Sequence, residues 1–239
     1  MIHYICKYTP IELFAGFGAE CIRREPLVSG FELADGASHQ NLCAFSRALL
    51  EDCLQNGTGE LILVNCCDSI RRVYDILQEK GDSPFLYLLD LPRCDTACAR
   101  KRFALELKRL ANAYAAYSGR AFSAVRFQAA FAPLPPARTA LSQPARSTCL
   151  ASLDGGIAEL RLPTCAKRHL HGQTQRFSPG RLDAGQPMGA YASALLGQTP
   201  CMRMTDPTGR RRLTESPRLR GVIYHTVNSV IIMTMNTAA

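Results

Sequence analysis

The 239 residues include 28 Lys+Arg against 20 Asp+Glu, with 47% hydrophobic and 8% aromatic side chains, enough to bury a core and too apolar for wholesale disorder. Eleven cysteines fall short of disulfide-scaffold density and no charged-then-apolar leader opens the chain, so a reducing cytoplasm is the expected compartment. No apolar run reaches the ~20 residues of a membrane span. The basic excess is confined to one half: residues 1–120 carry 14 Lys+Arg and 15 Asp+Glu, residues 121–239 carry 14 and 5. That excess is mostly Arg among Pro, Ala, Ser, Gly and Gln without helix or strand period, which reads as a compositional bias and not as a nucleic-acid face.

Thr9 and Glu12 have capping-box spacing around Pro10, predicting a helix from Pro10 to about Gly18. A second helix fits Gln40 to Gln55, with Leu42, Phe45, Leu49 and Cys53 on one face and Asn56-Gly57 as its stop. Residues 60–65 form a short apolar run that reads as a buried strand. Cys66 to Ser69 (CCDS) follow, then a helix from Ile70 to Leu77 ending before Gly81. The pattern repeats with a strand at Phe85–Asp90, a turn at 91–93 and a long amphipathic helix from Thr96 to Tyr117, stopped at Gly119. Strands alternating with helices of this length predict an α/β fold, with Rossmann-like parallel sheets flanked by helices.

The second half is uneven. Residues 132–150 have prolines and no apolar period, as a linker would. Pattern returns in a short helix, Met188 to Gly197, and a strand, Gly221 to Val227. The expected organisation is an N-terminal lobe at 1–120, a poorly patterned region at 121–187, and the start of an incomplete second α/β lobe at 188–239.

Cys67 follows a buried strand at a helix start, where the helix dipole and unspent amides favour a thiolate or an anionic cluster. As plain packing, Cys66 and Cys67 are small hydrophobes in a turn. Cys43, near the start of its helix, carries the same two readings. Cys94 and Cys98 bracket Asp95 with C-x3-C spacing, half a metal site without a matching second half. His169 and His171, near Cys165, read as solvated surface. Walker, dinucleotide-binding, G-x-S-x-G and ferredoxin-type signatures are absent.

Four segments, Tyr4 to Glu20 (YICKYTPIELFAGFGAE), Asn41 to Glu51 (NLCAFSRALLE), Leu63 to Leu77 (LVNCCDSIRRVYDIL) and Pro84 to Arg93 (PFLYLLDLPR), resemble the 2-hydroxyacyl-CoA dehydratase family, which includes 2-hydroxyglutaryl-CoA dehydratase and is related to benzoyl-CoA reductase subunits. Gln198 to Met204 and Gly221 to Val227 are similar to later family segments. The resemblance implies Rossmann-like lobes holding a 4Fe-4S cluster on few thiolates, with one iron open to substrate. It implies elimination of water from (R)-2-hydroxyacyl-CoA through a ketyl radical, one electron arriving from an ATP-dependent iron-sulfur activator protein, and pairing with a homologous dehydratase subunit. No nucleic-acid or membrane partner is expected. Carried over by motif, Cys43 and Cys67 are the cluster ligands, with Cys66 and Cys201 as reserve candidates; no catalytic side chain is assigned. A non-dehydratase electron-transfer protein, an acyl-CoA reductase subunit of the same superfamily, and a non-functional fragment are the alternatives.

The resemblance also implies that the Gly221 strand should run into Lys-Phe-Cys-Asp-Tyr-Tyr, whose Cys is a third ligand. Here the chain reads NSVIIMTMNTAA from Asn228 to Ala239. If the codons are AAT TCT GTG ATT ATT ATG ACT ATG AAT AC, a choice that the mostly free third bases allow, reading two bases later gives Phe-Cys-Asp-Tyr-Tyr-Asp-Tyr-Glu-Tyr, which resembles the family's continuation. Two of those residues leave no freedom of choice: ATG before AC gives Asp, and ATG before AA gives Glu. The expectation is a one-base deletion or a sequencing error near codon 228, which removes the third ligand and leaves the product inactive. The composition of 132–187 is also what out-of-frame reading of a GC-rich gene produces.

Overall fold

A computed structural model describes residues 1–39, 41–130 and 187–197. The expected linker, Cys165, His169, His171, Cys201, the Gly221 strand and residues 228–239 lie outside the described residues. Four short strands, β1 (Ile2–Tyr4), β2 (Cys21–Arg23), β3 (Glu60–Val64) and β4 (Phe85–Leu89), pair in parallel in the order β2-β1-β3-β4. The helices are α1 (Ile11–Gly16), α2 (Glu32–Ala37), α3 (Ala44–Asn56), α4 (Asp68–Lys80), α5 (Ala97–Ser118), α6 (Ala124–Ala129) and α7 (Pro187–Leu196). The parallel α/β class expected from alternating strands and helices is present.

Two apolar layers cover the sheet because β3 is apolar on both faces. Ile62 and Val64 pack with Leu13, Phe14, Phe103, Leu107 and Leu110 from α1 and α5. Leu61 and Leu63 pack with Leu49, Leu50, Ile70, Val73 and Leu77 from α3 and α4. A strand buried on both sides must be continuously apolar, which is why the Leu61–Val64 run was legible. α7 joins the first layer: Tyr191, Ala192, Leu195 and Leu196 are buried in it, and the Phe127 and Tyr191 rings meet edge to face at 5.2 Å.

Helix ends follow the local chemistry. Gly81 and Gly119 close α4 and α5 in the left-handed conformation, which glycine adopts without a Cβ penalty. The capping box expected at Thr9 and Glu12 is not formed: Pro10 is the N-cap of α1, without a side-chain capping bond. Glu12 is buried and accepts a 2.7 Å hydrogen bond from the Tyr191 hydroxyl. α1 stops at Gly16, where a side chain would collide with the Phe122 ring, and Gly18 continues with φ 68°. Among the described residues, no helix is long and apolar enough to cross a membrane.

Candidate functional site

The strand order places a topological switch between β1 and β3. From β1 the chain moves outward to β2, whereas from β3 it moves the other way to β4, so the segments leaving β1 and β3 diverge at the carboxyl end of the sheet. Open α/β sheets bind ligands in that crevice. Asn65, Cys66 and Cys67 are the residues that leave β3 there, and Ile5, Cys6 and Lys7 leave β1.

Cys67 is the N-cap of α4 and Cys43 the N-cap of α3, both half-buried with extended backbone conformations. The helix expected from Gln40 begins at Ala44, which moves Cys43 from inside the first turn to the cap itself. The two helix starts adjoin. The backbone N–H of Cys43 donates to Oγ of Ser69, two residues beyond Cys67, at 3.5 Å. The Cys43 thiol donates to Oγ of buried Ser46 at 3.2 Å.

Neither cysteine makes a side-chain capping bond. The contrast within the same chain is informative. Thr96 caps α5 by accepting from the Ala99 N–H, and Ser123 caps α6 by accepting from the Arg126 N–H. Sulfur is a poor acceptor, so α3 and α4 forgo roughly 0.5–2 kcal/mol that Ser, Thr, Asp or Asn would supply at a cap. In return, two thiols stand at the positive ends of two helices beside first-turn amides, which suit a bound anion.

This donor set fits part of an iron-sulfur cluster. Soft thiols suit iron-sulfur centres, and two helix N-termini suit their negative charge. The set is also incomplete: among the described residues, no group of three or more His, Cys, Asp and Glu side chains is arranged to hold a metal ion. Cys66 follows the β3 end, its N–H donating to the Val64 carbonyl at 2.6 Å, and it packs between the two apolar layers, as does Cys6. Cys94 sits in the β4–α5 connection and Cys98 in the first turn of α5.

Two residues escaped the sequence reading. Lys7 is buried in the segment leaving β1, its ammonium 5.2 Å from the Tyr8 ring centroid. A lysine inside the otherwise apolar run Tyr4-Ile-Cys-Lys-Tyr8 was the available signal. Asn65 ties the end of β3 to the end of β4: its N–H donates to the Leu89 carbonyl at 2.8 Å and its side-chain amide to Asp90 at 2.9 Å. The Asn65 carbonyl oxygen accepts from Arg71 Nε, which turns that guanidinium toward the β4 side.

No curated protein matches the chain. The family model described as 2-hydroxyglutaryl-CoA dehydratase, D-component, matches residues 6–143, more than half of the sequence and a span that includes Cys43, Cys67 and every strand after β1. With that match added to a parallel sheet that carries two cysteine-capped helices at its switch point, the chain belongs to the 2-hydroxyglutaryl-CoA dehydratase D-component family and is a dehydratase-type subunit.

Proposed function

We propose that this chain is an iron-sulfur subunit of a 2-hydroxyacyl-CoA dehydratase, with Cys43 and Cys67 holding two irons of a 4Fe-4S cluster. The observation that carries the reading is the pair of cysteine N-caps without capping bonds on adjoining helices. A bound cluster supplies an open iron that acts as a Lewis acid and accepts one electron. The chain's own residues do the rest. The α3 and α4 amides offer donors to a bound anion, Ser46 orients the Cys43 sulfur, and Ser69 fixes one helix start against the other. The substrate class is a (R)-2-hydroxyacyl-CoA thioester, which loses water through a ketyl radical once an ATP-dependent activator has delivered an electron. A homologous subunit completes the enzyme.

Anaerobic purification followed by iron and sulfide analysis tests the cofactor, and turnover of a 2-hydroxyacyl-CoA with activator and partner subunit tests the reaction. Iron and sulfide bound to the chain with its frame restored at codon 228, but lost from the Cys43→Ser and Cys67→Ser variants of that restored chain, is the expected result. Equal iron content in the restored chain and in both variants removes the reading.

A further inference from the structure

A second feature lies beside the cysteine pair and is not used by it. A crevice of about 600 Å³ opens at the carboxyl end of β4, between the start of α4 and the outer face of α5. It begins at Asn65 and Arg71, so it adjoins the turn that carries Cys67. Four guanidiniums line it, from Arg71, Arg93, Arg102 and Arg109, against two carboxylates, Asp90 and Glu106.

The carboxylates are committed elsewhere. Glu106 is buried and accepts from the Tyr87 hydroxyl at 3.0 Å, from the Asp90 N–H at 3.4 Å and from Arg109 at 3.2 Å. Asp90 accepts from the Asn65 amide. Arg71 lies 3.6 Å from exposed Asp68 and is held by Asn65. Among the described residues, no carboxylate pairs with Arg93 or Arg102, and both are exposed. Arg102 and Arg109 are seven positions apart on α5 and so share one face. The crevice therefore concentrates uncompensated positive charge in planar groups whose paired donors match phosphate oxygens.

We propose that this crevice binds a diphosphate group, and that the diphosphate is that of the CoA moiety of the substrate. This rests on the reading above that the substrate is a CoA thioester. Arg93 and Arg102 supply the main contacts and Arg71 links the anion site to the Cys67 turn. The thioester arm then leaves the crevice past Asn65 toward the switch point.

The test is calorimetric titration of the full chain with inorganic pyrophosphate, CoA and pantetheine, which lacks the phosphates. Pyrophosphate should compete with CoA, and pantetheine should bind at least tenfold more weakly than CoA. Arg93→Gln/Arg102→Gln should weaken CoA and pyrophosphate by about tenfold or more, the loss expected when charge-assisted contacts are removed. Lys108→Gln, outside the crevice, should change neither. A readout in the unmutated chain is alkylation of Cys98, which is exposed and lines the crevice. Pyrophosphate should slow it severalfold. Pantetheine binding as tightly as CoA, parental affinity in the double variant, or unprotected Cys98 at saturating pyrophosphate overturns the proposal. None of these titrations needs iron, so CoA binding through Arg93 and Arg102 is read independently of the cofactor, whose own test is the iron content of the frame-restored chain.

Discussion

The Cys43 backbone N–H donates to the Ser69 hydroxyl, so the starts of α3 and α4 are joined across 26 residues of sequence. Each helix begins on a cysteine where a hydroxyl or carboxylate would cap better. Stability and function therefore predict opposite outcomes for one substitution. Cys67→Ser should keep or raise the unfolding free energy of the metal-free chain, by up to about 1 kcal/mol, because serine is a good N-cap. The same change in the chain with its frame restored at codon 228 should abolish the visible absorption of the anaerobically reconstituted protein, since a hydroxyl is a poor iron-sulfur ligand. A loss of stability with unchanged iron content would identify Cys67 as a packing thiol. Cys94→Ser and Cys98→Ser should leave iron content unchanged.

Arg24 closes the far side of the sheet. It donates to the Asp52 carboxylate at 2.6 Å and to the carbonyls of Thr58 at 2.9 Å, Gly57 at 2.9 Å and Asp52 at 3.2 Å, fastening the end of β2 to the end of α3. Burial alone would raise the Asp52 carboxyl. Hydrogen bonds from Arg24 and Asn56 and the Arg24 charge outweigh it, and the net shift is downward. A carboxylate depressed in the folded state contributes stability above its unfolded pKa of about 4, lost as pH falls through the folded value. Asp52→Asn should therefore cost most near pH 6, about 1–3 kcal/mol, and progressively less below pH 4. Urea denaturation at several pH values reads this. A constant difference across the range would show that the pair's charge contributes nothing.

Tyr191 and Glu12 are 179 residues apart, yet the phenol donates to the carboxylate at 2.7 Å within the buried core. Tyr191→Phe keeps the ring against Phe127 and removes one donor from a buried carboxylate, which should cost about 1–3 kcal/mol. Tyr191→Ala should cost more, about 3–5 kcal/mol, by also removing the ring. Urea midpoints of the full chain measure both. Parental midpoints for both variants would show that α7 does not dock on the first layer.

What the sequence made legible follows from range. α4 and α5 were readable because their apolar period, N-terminal boundary and terminal glycine agree, and β3 and β4 because strands covered on one or both faces are apolar runs. β1 and β2 have three residues each, and β2 is an edge with exposed Ile22, so neither offers a run to detect. α2 and α6 are six residues long, too short for a period. The false capping box at Thr9 is the most instructive error, because Glu12 is used by Tyr191 and no local window contains that partner. Cys43 and Cys67 were picked out by motif similarity, whereas their geometry was not legible. That Cys43 and Cys67 are caps without capping bonds depends on where α3 and α4 begin, and on a switch point defined by strand order. The arginine crevice was illegible for the same cause: Arg71, Arg93, Arg102 and Arg109 are scattered along 39 residues and meet only when α5 folds beside β4.

The described residues bring two thiols to the switch point and no third donor arranged with them, so a third ligand has to come from outside them. Asn228 and Ser229 follow the expected strand as the chain is read; the expected base deletion would put Phe-Cys-Asp there instead. Two thiolates leave two of a cubane's four irons to water or oxidant, so the chain as read should retain little iron through anaerobic gel filtration. The gene restored at codon 228 and extended into its downstream reading frame should retain about four irons per chain, the content of one cubane. Serine in place of the restored cysteine should return iron to the level of the chain as read, which separates the ligand from any general effect of added sequence. If the chain as read already carries about four irons, the frame hypothesis fails, and Cys201→Ser then decides whether Cys201 completes the site.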